Sequence, residues 1–404
     1  MTDKTSGPLA GVRVLDMTNV LAGPYACYQL ALMGAEVIKV EVPKGGDLAR
    51  SLGSDSELNS ELMGVSFLAQ NAQKRSITLD LKSDGGKEVM RRLVAEADVL
   101  CENFRPGVLA RLGFGWEELR AINPRLVYCA ISGFGQTGPL RSKPAYDQII
   151  QGGSGMMSVT GTPETSPLRA GYPIADTLGG LAAAFAITSA LHGRERTGEG
   201  SSIDVSMLET AVTAMGWVVS NHLVAGQVPR ALGNDNGTAA PSGTFQTASG
   251  ALNIAANKQE QFEALTRVIG RPELAADARF SDREDRKRFR AELTSEIEAA
   301  LGAEDTAYWE ERLSAAGVPA AAVLTVPEML ESPQIVDREL VHDLPFPGRE
   351  GETLRVLGNG IRLDDRPSAP TMPPPGLGQH TDEILGELGY DAAQIRAFHE
   401  ERAV

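Results

Sequence analysis

What most constrains this chain is an alternation, repeated along its first third, of short strand-like runs with helical segments. Val12-Arg13-Val14-Leu15-Asp16 reads as a strand. Pro24 then falls in the first turn of a helix that continues through Leu30 to Met33, Gly34 ends it, and Glu36-Val37-Ile38-Lys39-Val40 is the next strand. Strand, helix and strand within about 30 residues predict a right-handed parallel crossover. The pattern recurs in Ile77-Thr78-Leu79, in a helix over 85–97 whose Val89, Met90, Leu93 and Val94 share one stripe, in Asp98-Val99-Leu100-Cys101 and in Leu126-Val127-Tyr128-Cys129-Ala130-Ile131. An α/β fold with a parallel, Rossmann-like sheet follows, and ligands of such sheets sit beyond the carboxyl ends of the strands. The segments after those ends are 18–23, 41–50, 102–107 and 132–135.

From about Asn221 the texture changes. A Gly/Asn-rich connection, Gly233-Asn234-Asp235-Asn236-Gly237, leads into a smaller α+β region. The expected division is a large domain over 1–220, a small one over 221–326, and a return to the large domain over 327–404. The tail carries one helix up to Tyr390 and another capped by Asp391 and Gln394.

Charge removes several function classes. Lys and Arg number 38 against 53 Asp and Glu, a net −15; such a surface repels phosphate backbones and anionic lipid, so neither nucleic acid nor a membrane is an expected partner. The N-terminal segment 1–8 lacks the basic and apolar regions of a signal peptide, and the apolar run from Leu178 to Leu191 is shorter than the roughly 20 residues a bilayer needs. Cys27, Cys101 and Cys129 stand far apart with no Cys or His at ligand spacing, so no metal site is expected and the compartment reads as cytoplasmic. No GxGxxG follows the first strand, no P-loop or HExxH is present, and Gly152-Gly153-Ser154-Gly155-Met156 fails as a GxSxG elbow because Met156 replaces the last glycine.

One carboxylate stands out. Asp176 precedes a long apolar helix and is followed by Gly179 and Gly180. The plain reading is a helix N-cap. The sharper reading is a carboxylate nucleophile, kept ionised by the helix amino end, with the two glycines admitting close approach and the N–H groups after Asp176 serving as oxyanion donors.

The chain resembles the class III CoA-transferases, the family of formyl-CoA, carnitine and bile-acid CoA-transferases and of 2-methylacyl-CoA racemases. The resemblance runs through Leu9-Ala10-Gly11-Val12-Arg13-Val14-Leu15-Asp16, Asn71-Ala72-Gln73-Lys74-Arg75-Ser76, Glu102-Asn103-Phe104-Arg105-Pro106-Gly107, Gly133-Phe134-Gly135-Gln136-Thr137-Gly138-Pro139 and Leu377-Gly378-Gln379-His380-Thr381, in order along nearly the whole length. It implies that Asp176 is the nucleophile. It implies that Asn103, Phe104, Arg105 and Arg111 bind coenzyme A, with Lys74 and Arg75 as further phosphate partners and Tyr146 beside them. It also implies that Val20, Leu21, Ala22, Asp147 and the loop residues Gly233, Asn234 and Gly237 line the acyl pocket. Acyl-CoA thioesters and small carboxylic acids are the implied co-substrates, with no tightly bound cofactor, and the implied assembly is an interlocked homodimer.

Two departures narrow the choice. Racemases carry a His-Asp pair where this chain has Tyr146-Asp147, and a tyrosine is a poor base at neutral pH. Leu21 stands where the formyl/oxalate subgroup has a glutamine, which argues for a larger acid with an apolar portion. The expectation is a CoA-transferase acting on short dicarboxylates with a succinyl-CoA-like donor. The alternatives are a 2-methylacyl-CoA racemase and a non-catalytic acyl-CoA-binding protein.

Overall fold

The computed structural model describes residues 7–404, so most of the stretch read for a signal peptide, residues 1–6, lies outside the described residues. The chain forms two units. The large one comprises residues up to Met156, Arg169–Ala225 and Pro333–Val404; the small one comprises Met157–Leu168 and Gly226–Ser332. These cuts fall later than 220 and 326 because the helices Gly216–Ala225 and Val326–Glu331 run across both positions.

In the large unit β1 (Arg13–Met17), β2 (Glu36–Glu41), β3 (Lys74–Thr78), β4 (Val99–Glu102), β5 (Val127–Ser132) and β6 (Ser201–Ser206) form one sheet in the order β3-β2-β1-β4-β5-β6. Every pair is parallel. This is the doubly wound α/β arrangement expected from the sequence. Alternation along β1 sends Val14 to the core under helix α1 (Ala22–Leu32) and Leu15 to the core under the Asp84–Glu96 helix. Gly34, at φ +97°, turns the chain out of α1 into β2. β6 escapes a periodicity reading because four of its six residues are Ser or Asp and its first four alternate between partly buried and exposed.

The helix Ile174–Thr197 is long and apolar enough to cross a membrane by length and composition. Here it packs against α1, β5, β6 and the Met207–Ala214 helix, burying Ala175, Gly179, Gly180, Ala183, Ala184, Ile187 and Leu191. A second long apolar element, Gly216–Ala225, buries none of its residues; Trp217 is 83% and Val224 86% exposed.

The segment before the C-terminal helices straps the edge of the sheet. Gln73 exchanges hydrogen bonds with Thr371 and Met372, the N–H of His380 donates to Ser76 O at 2.9 Å, and the guanidinium of Arg50 donates to Pro375 O. The last helix, Ala392–Glu400, carries the Asp391–Gln394 capping box read from the sequence.

In the small unit β7 (Ser242–Gln246), β8 (Ala251–Ala255) and β9 (Ala320–Ala322) make an antiparallel sheet. Helices Gln259–Val268, Arg290–Leu301 and Thr306–Ala315 cover it through Phe262, Leu265, Leu293, Ile297, Trp309 and Leu313.

Candidate active site

Sheet order reverses between β1 and β4, so the loops that leave those two strands flank the crevice of the fold. They are tied together. Asn103 accepts from the Asn19 N–H at 2.8 Å and donates to the Asn19 carbonyl at 2.8 Å. The next residue, Val20, adopts φ +67°, which a β-branched side chain rarely does and which costs on the order of 1–3 kcal/mol. Asp47 holds it there, accepting from the Val20 N–H at 2.9 Å.

Beneath the loop lies a buried network of matched charges. Lys74 Nζ donates to Asp16 at 2.8 Å, Lys39 Nζ meets Asp47 at 2.9 Å and donates to Thr18 O at 2.9 Å, and Arg50 forks onto Glu41 at 2.7 Å on each oxygen. Burial disfavours each charge, but the partners more than compensate: Asp16 and Glu41 are held below, and Lys39 above, their ordinary values. Sequence reasoning passed over Asp16, Lys39, Asp47 and Arg50; the signal available was charged residues set inside otherwise apolar strands.

Asp176 is the third residue of its helix and not its cap. The cap is supplied from outside by Asp147, whose Oδ1 accepts from the Ala175 N–H at 2.8 Å and the Asp176 N–H at 3.4 Å. The other oxygen of Asp147 accepts from Gln151 Nε2 at 2.6 Å. The Asp176 carboxylate itself makes no hydrogen bond with any described residue. Half-buried and beside the Asp147 charge, its pKa is pushed up to about 7, burial being the larger cause. The expectation that the helix amino end keeps Asp176 ionised is therefore corrected, since Asp147 has taken those N–H groups.

Two related expectations change as well. The Asp176 N–H belongs to Asp147 and the Thr177 N–H to Pro173 O, so the start of this helix is not an oxyanion site. The glycines admit neighbouring chain, not ligand: a Cβ on Gly180 would stand 2.4 Å from Ala22 O, and one on Gly179 would stand 2.9 Å from Met207 Cγ. Gly180 lies four positions after Asp176, one helical turn on, so the carboxylate shares the helix face that meets the beginning of α1, with its Ala22 and Tyr25. No side chain among the described residues caps the amino end of α1.

The remaining expected residues divide. Arg105 and Arg111 follow β4 at the crevice, exposed and with no side-chain partner among the described residues, as free phosphate ligands must be. Phe104 is half-buried, its N–H held at 2.6 Å by Glu102, a buried carboxyl pushed up to about 7 by desolvation. Tyr146 is 66% exposed just before Asp147. Leu21 is half-buried and Ala22 buried where the loop enters α1.

Lys74 and Arg75 do not fit a phosphate role. Lys74 is buried and spends its three protons on Asp16, Asn71 and Pro24 O. Arg75 is the second residue of β3, near the amino end of the sheet and away from the strand ends where ligands lie, and is matched to Glu36, Glu383 and Glu387. Asp147, taken as pocket lining, is buried and fully engaged with backbone and Gln151.

Gly233, Asn234 and Gly237 belong to the small unit and are exposed. Their loop is pinned by arginines: Arg283 donates to Thr238 O, Arg286 to Ala240 O, and Arg290 to Asn236 O and Ala239 O. Asn234 also lines an open hollow of about 680 Å³ in that unit, with Ser242, Asn253 and Ser314.

The doubly wound sheet, with a carboxylate and two arginines after β4 that have no side-chain partner among the described residues, is a nucleotide-type α/β fold. The chain belongs to CoA-transferase family III, whose model matches residues 9–381. It is 38% identical over 389 residues to a succinate–glutarate CoA-transferase of Agrobacterium fabrum, covering 94% of this chain and 96% of that one. It is 39% identical over 373 residues to an acetyl-CoA:oxalate CoA-transferase of Acetobacter aceti, covering 91% and 94%. Among solved structures, a CAIB/BAIF family protein from Brucella suis superposes with a TM-score of 0.83 at 36% identity, covering 95% of this chain and 99% of that one.

Proposed function

We propose that the protein moves coenzyme A from an acyl-CoA donor to a short dicarboxylic acid, with Asp176 as nucleophile. The observation that carries this reading is the Asp176 carboxylate itself: half-buried, without a hydrogen-bond partner among the described residues, and with its pKa pushed up to about 7 by burial, which makes it a stronger base than an exposed carboxylate. One Asp176 oxygen adds to the donor's thioester carbon, the C–S bond breaks, and a mixed anhydride and CoA thiolate result. The thiolate adds to Asp176 Cγ, expels the donor acid and leaves an aspartyl-CoA thioester. The acceptor carboxylate displaces the thiolate to form a second anhydride, and the thiolate then attacks the acceptor's carbonyl, freeing Asp176. No proton is gained or lost. Arg105 and Arg111 meet the CoA phosphates, and the uncapped N–H groups of α1 face the developing oxyanions.

Both named relatives act, by their names, on dicarboxylates. Leu21, with no hydrogen-bonding side chain at the entry to α1, favours an acid longer than oxalate, with succinyl-CoA as donor. The exposed apolar helix Gly216–Ala225 supports a homodimer in which a second copy covers it. The reading includes a cytoplasmic location, from three buried free cysteines.

The test is transfer from succinyl-CoA to a panel of dicarboxylic acids, read as new acyl-CoA by mass spectrometry, with Asp176→Ala alongside. Undiminished transfer by the variant would falsify the nucleophile assignment. Exchange of an α-proton in deuterated water without transfer points to the racemase instead.

A further inference from the structure

The carboxylate of Asp147 is buried, yet it makes no ion pair with any described residue. Its neighbours are the first N–H groups of the Ile174–Thr197 helix and the side chain of Gln151. Gln151 reaches on: its Oε1 accepts from the Ala170 N–H at 2.8 Å and its Nε2 donates to Tyr172 O at 3.3 Å. One pair of side chains thus fixes both the chain that enters the helix and the helix's first turn. A helix of this length has an amino end able to hold an anion, and Asp176 sits within that first turn. Were the N–H groups free, they would stabilise the charged form of Asp176 and make it a weaker nucleophile.

We propose that Asp147 is a positioning residue for the transfer reaction: by occupying the Ala175 and Asp176 N–H groups and holding Gln151 against residues 170–172, it fixes where the nucleophile stands and denies it the helix's hydrogen bonds. The proposal rests on Asp176 being the nucleophile. Burial alone disfavours the Asp176 anion, and the Asp147 charge adds to that effect. The other titratable groups on elements packed here are Tyr25, Cys27 and Tyr28 of α1, Tyr128 and Cys129 of β5, Asp204 of β6 and Glu209 of the Met207–Ala214 helix. None of them exerts a charge on Asp176 comparable to that of Asp147. A more basic carboxylate attacks a thioester faster when ionised but is ionised over a narrower pH range, so Asp147 trades activity in acid for turnover at neutral pH and above.

The experiment compares wild type with Asp147→Asn, which keeps an acceptor oxygen for the cap but loses the charge. The measurements are pH profiles of kcat and of kcat/KM with succinyl-CoA and a dicarboxylic acid, and trapping of the enzyme-bound acyl group with hydroxylamine as an Asp176 hydroxamate. The expected result is a folded variant that still yields the hydroxamate, has a lower kcat at its plateau, and has an acid limb moved to lower pH. A one-unit move means about tenfold more of its own plateau activity retained in the acid range. A folded Asn variant whose acid limb stays in place overturns the proposal, as does a raised KM at unchanged kcat, the mark of a substrate contact. Gln151→Met, which leaves the Asp147 charge, is expected to lower kcat without moving the limb; an unchanged kcat overturns the positioning role even if the Asn variant does not fold. Failure of the underlying reading looks different: wild-type enzyme turns over but gives no hydroxamate at Asp176.

Discussion

Asp176 and Lys74 show how far a residue can be read from its neighbours in sequence. Position before an apolar helix singled out Asp176, but the group that caps that helix, Asp147, lies 29 residues upstream, and no local pattern joins the two. Lys74 followed by Arg75 looks like a basic surface pair, yet one is a buried structural cation and the other is matched on the wrong end of the sheet. Because the folded-state pKa of Asp176 is raised, its ionisation costs stability as pH rises from about 4 and through about 7. Asp176→Asn is therefore expected to be inactive but more stable at pH about 8, by up to about 4 kcal/mol, with the gain vanishing below the ordinary carboxylate range. Chemical denaturation at two pH values measures this. Lys74→Met leaves Asp16 buried without its close cation and is expected to cost about 3–5 kcal/mol, whereas Arg111→Ala should leave stability unchanged and weaken acyl-CoA binding most at low salt.

At the scale of elements, hydrophobic period carried most of the large unit. β1, α1, β2, β4 and β5 fall within one or two residues of their expected places because each is apolar on a regular repeat. What periodicity does not contain is close approach between elements. Gly180 is a packing contact between α1 and the Asp176 helix, so Gly180→Ala, which pushes a Cβ into Ala22 O, is expected to separate the two. Thermal unfolding should report a loss of about 1–3 kcal/mol or more, and kcat should fall with it because α1 carries the proposed oxyanion donors. β6 and the Asp47 loop were illegible for another reason: their fold is decided by polar partners distant in sequence, such as the Val20 N–H for Asp47 and the Gln136 N–H for Asp204.

For the whole molecule, the net charge is −15, Lys39, Arg50 and Lys74 are neutralised inside, and Arg105 and Arg111 have no side-chain partner among the described residues, which leaves them available to the polyanionic ligand proposed above. The apolar Gly216–Ala225 helix makes the assembly testable. Trp217→Glu with Val224→Lys is expected to convert a dimer to monomers in sedimentation velocity, and a monomeric wild type would remove the case for a homodimer. The strap over residues 371–380 has a consequence for biosynthesis. Strand β3 and Arg50 emerge from the ribosome about 300 residues before the chain that covers them. Until the last segment is translated, the nascent large unit presents an open sheet edge and a half-satisfied arginine to the cell's chaperones. A chain stopped short of residue 370 is expected to be held by them and cleaved by protease where the full-length protein resists.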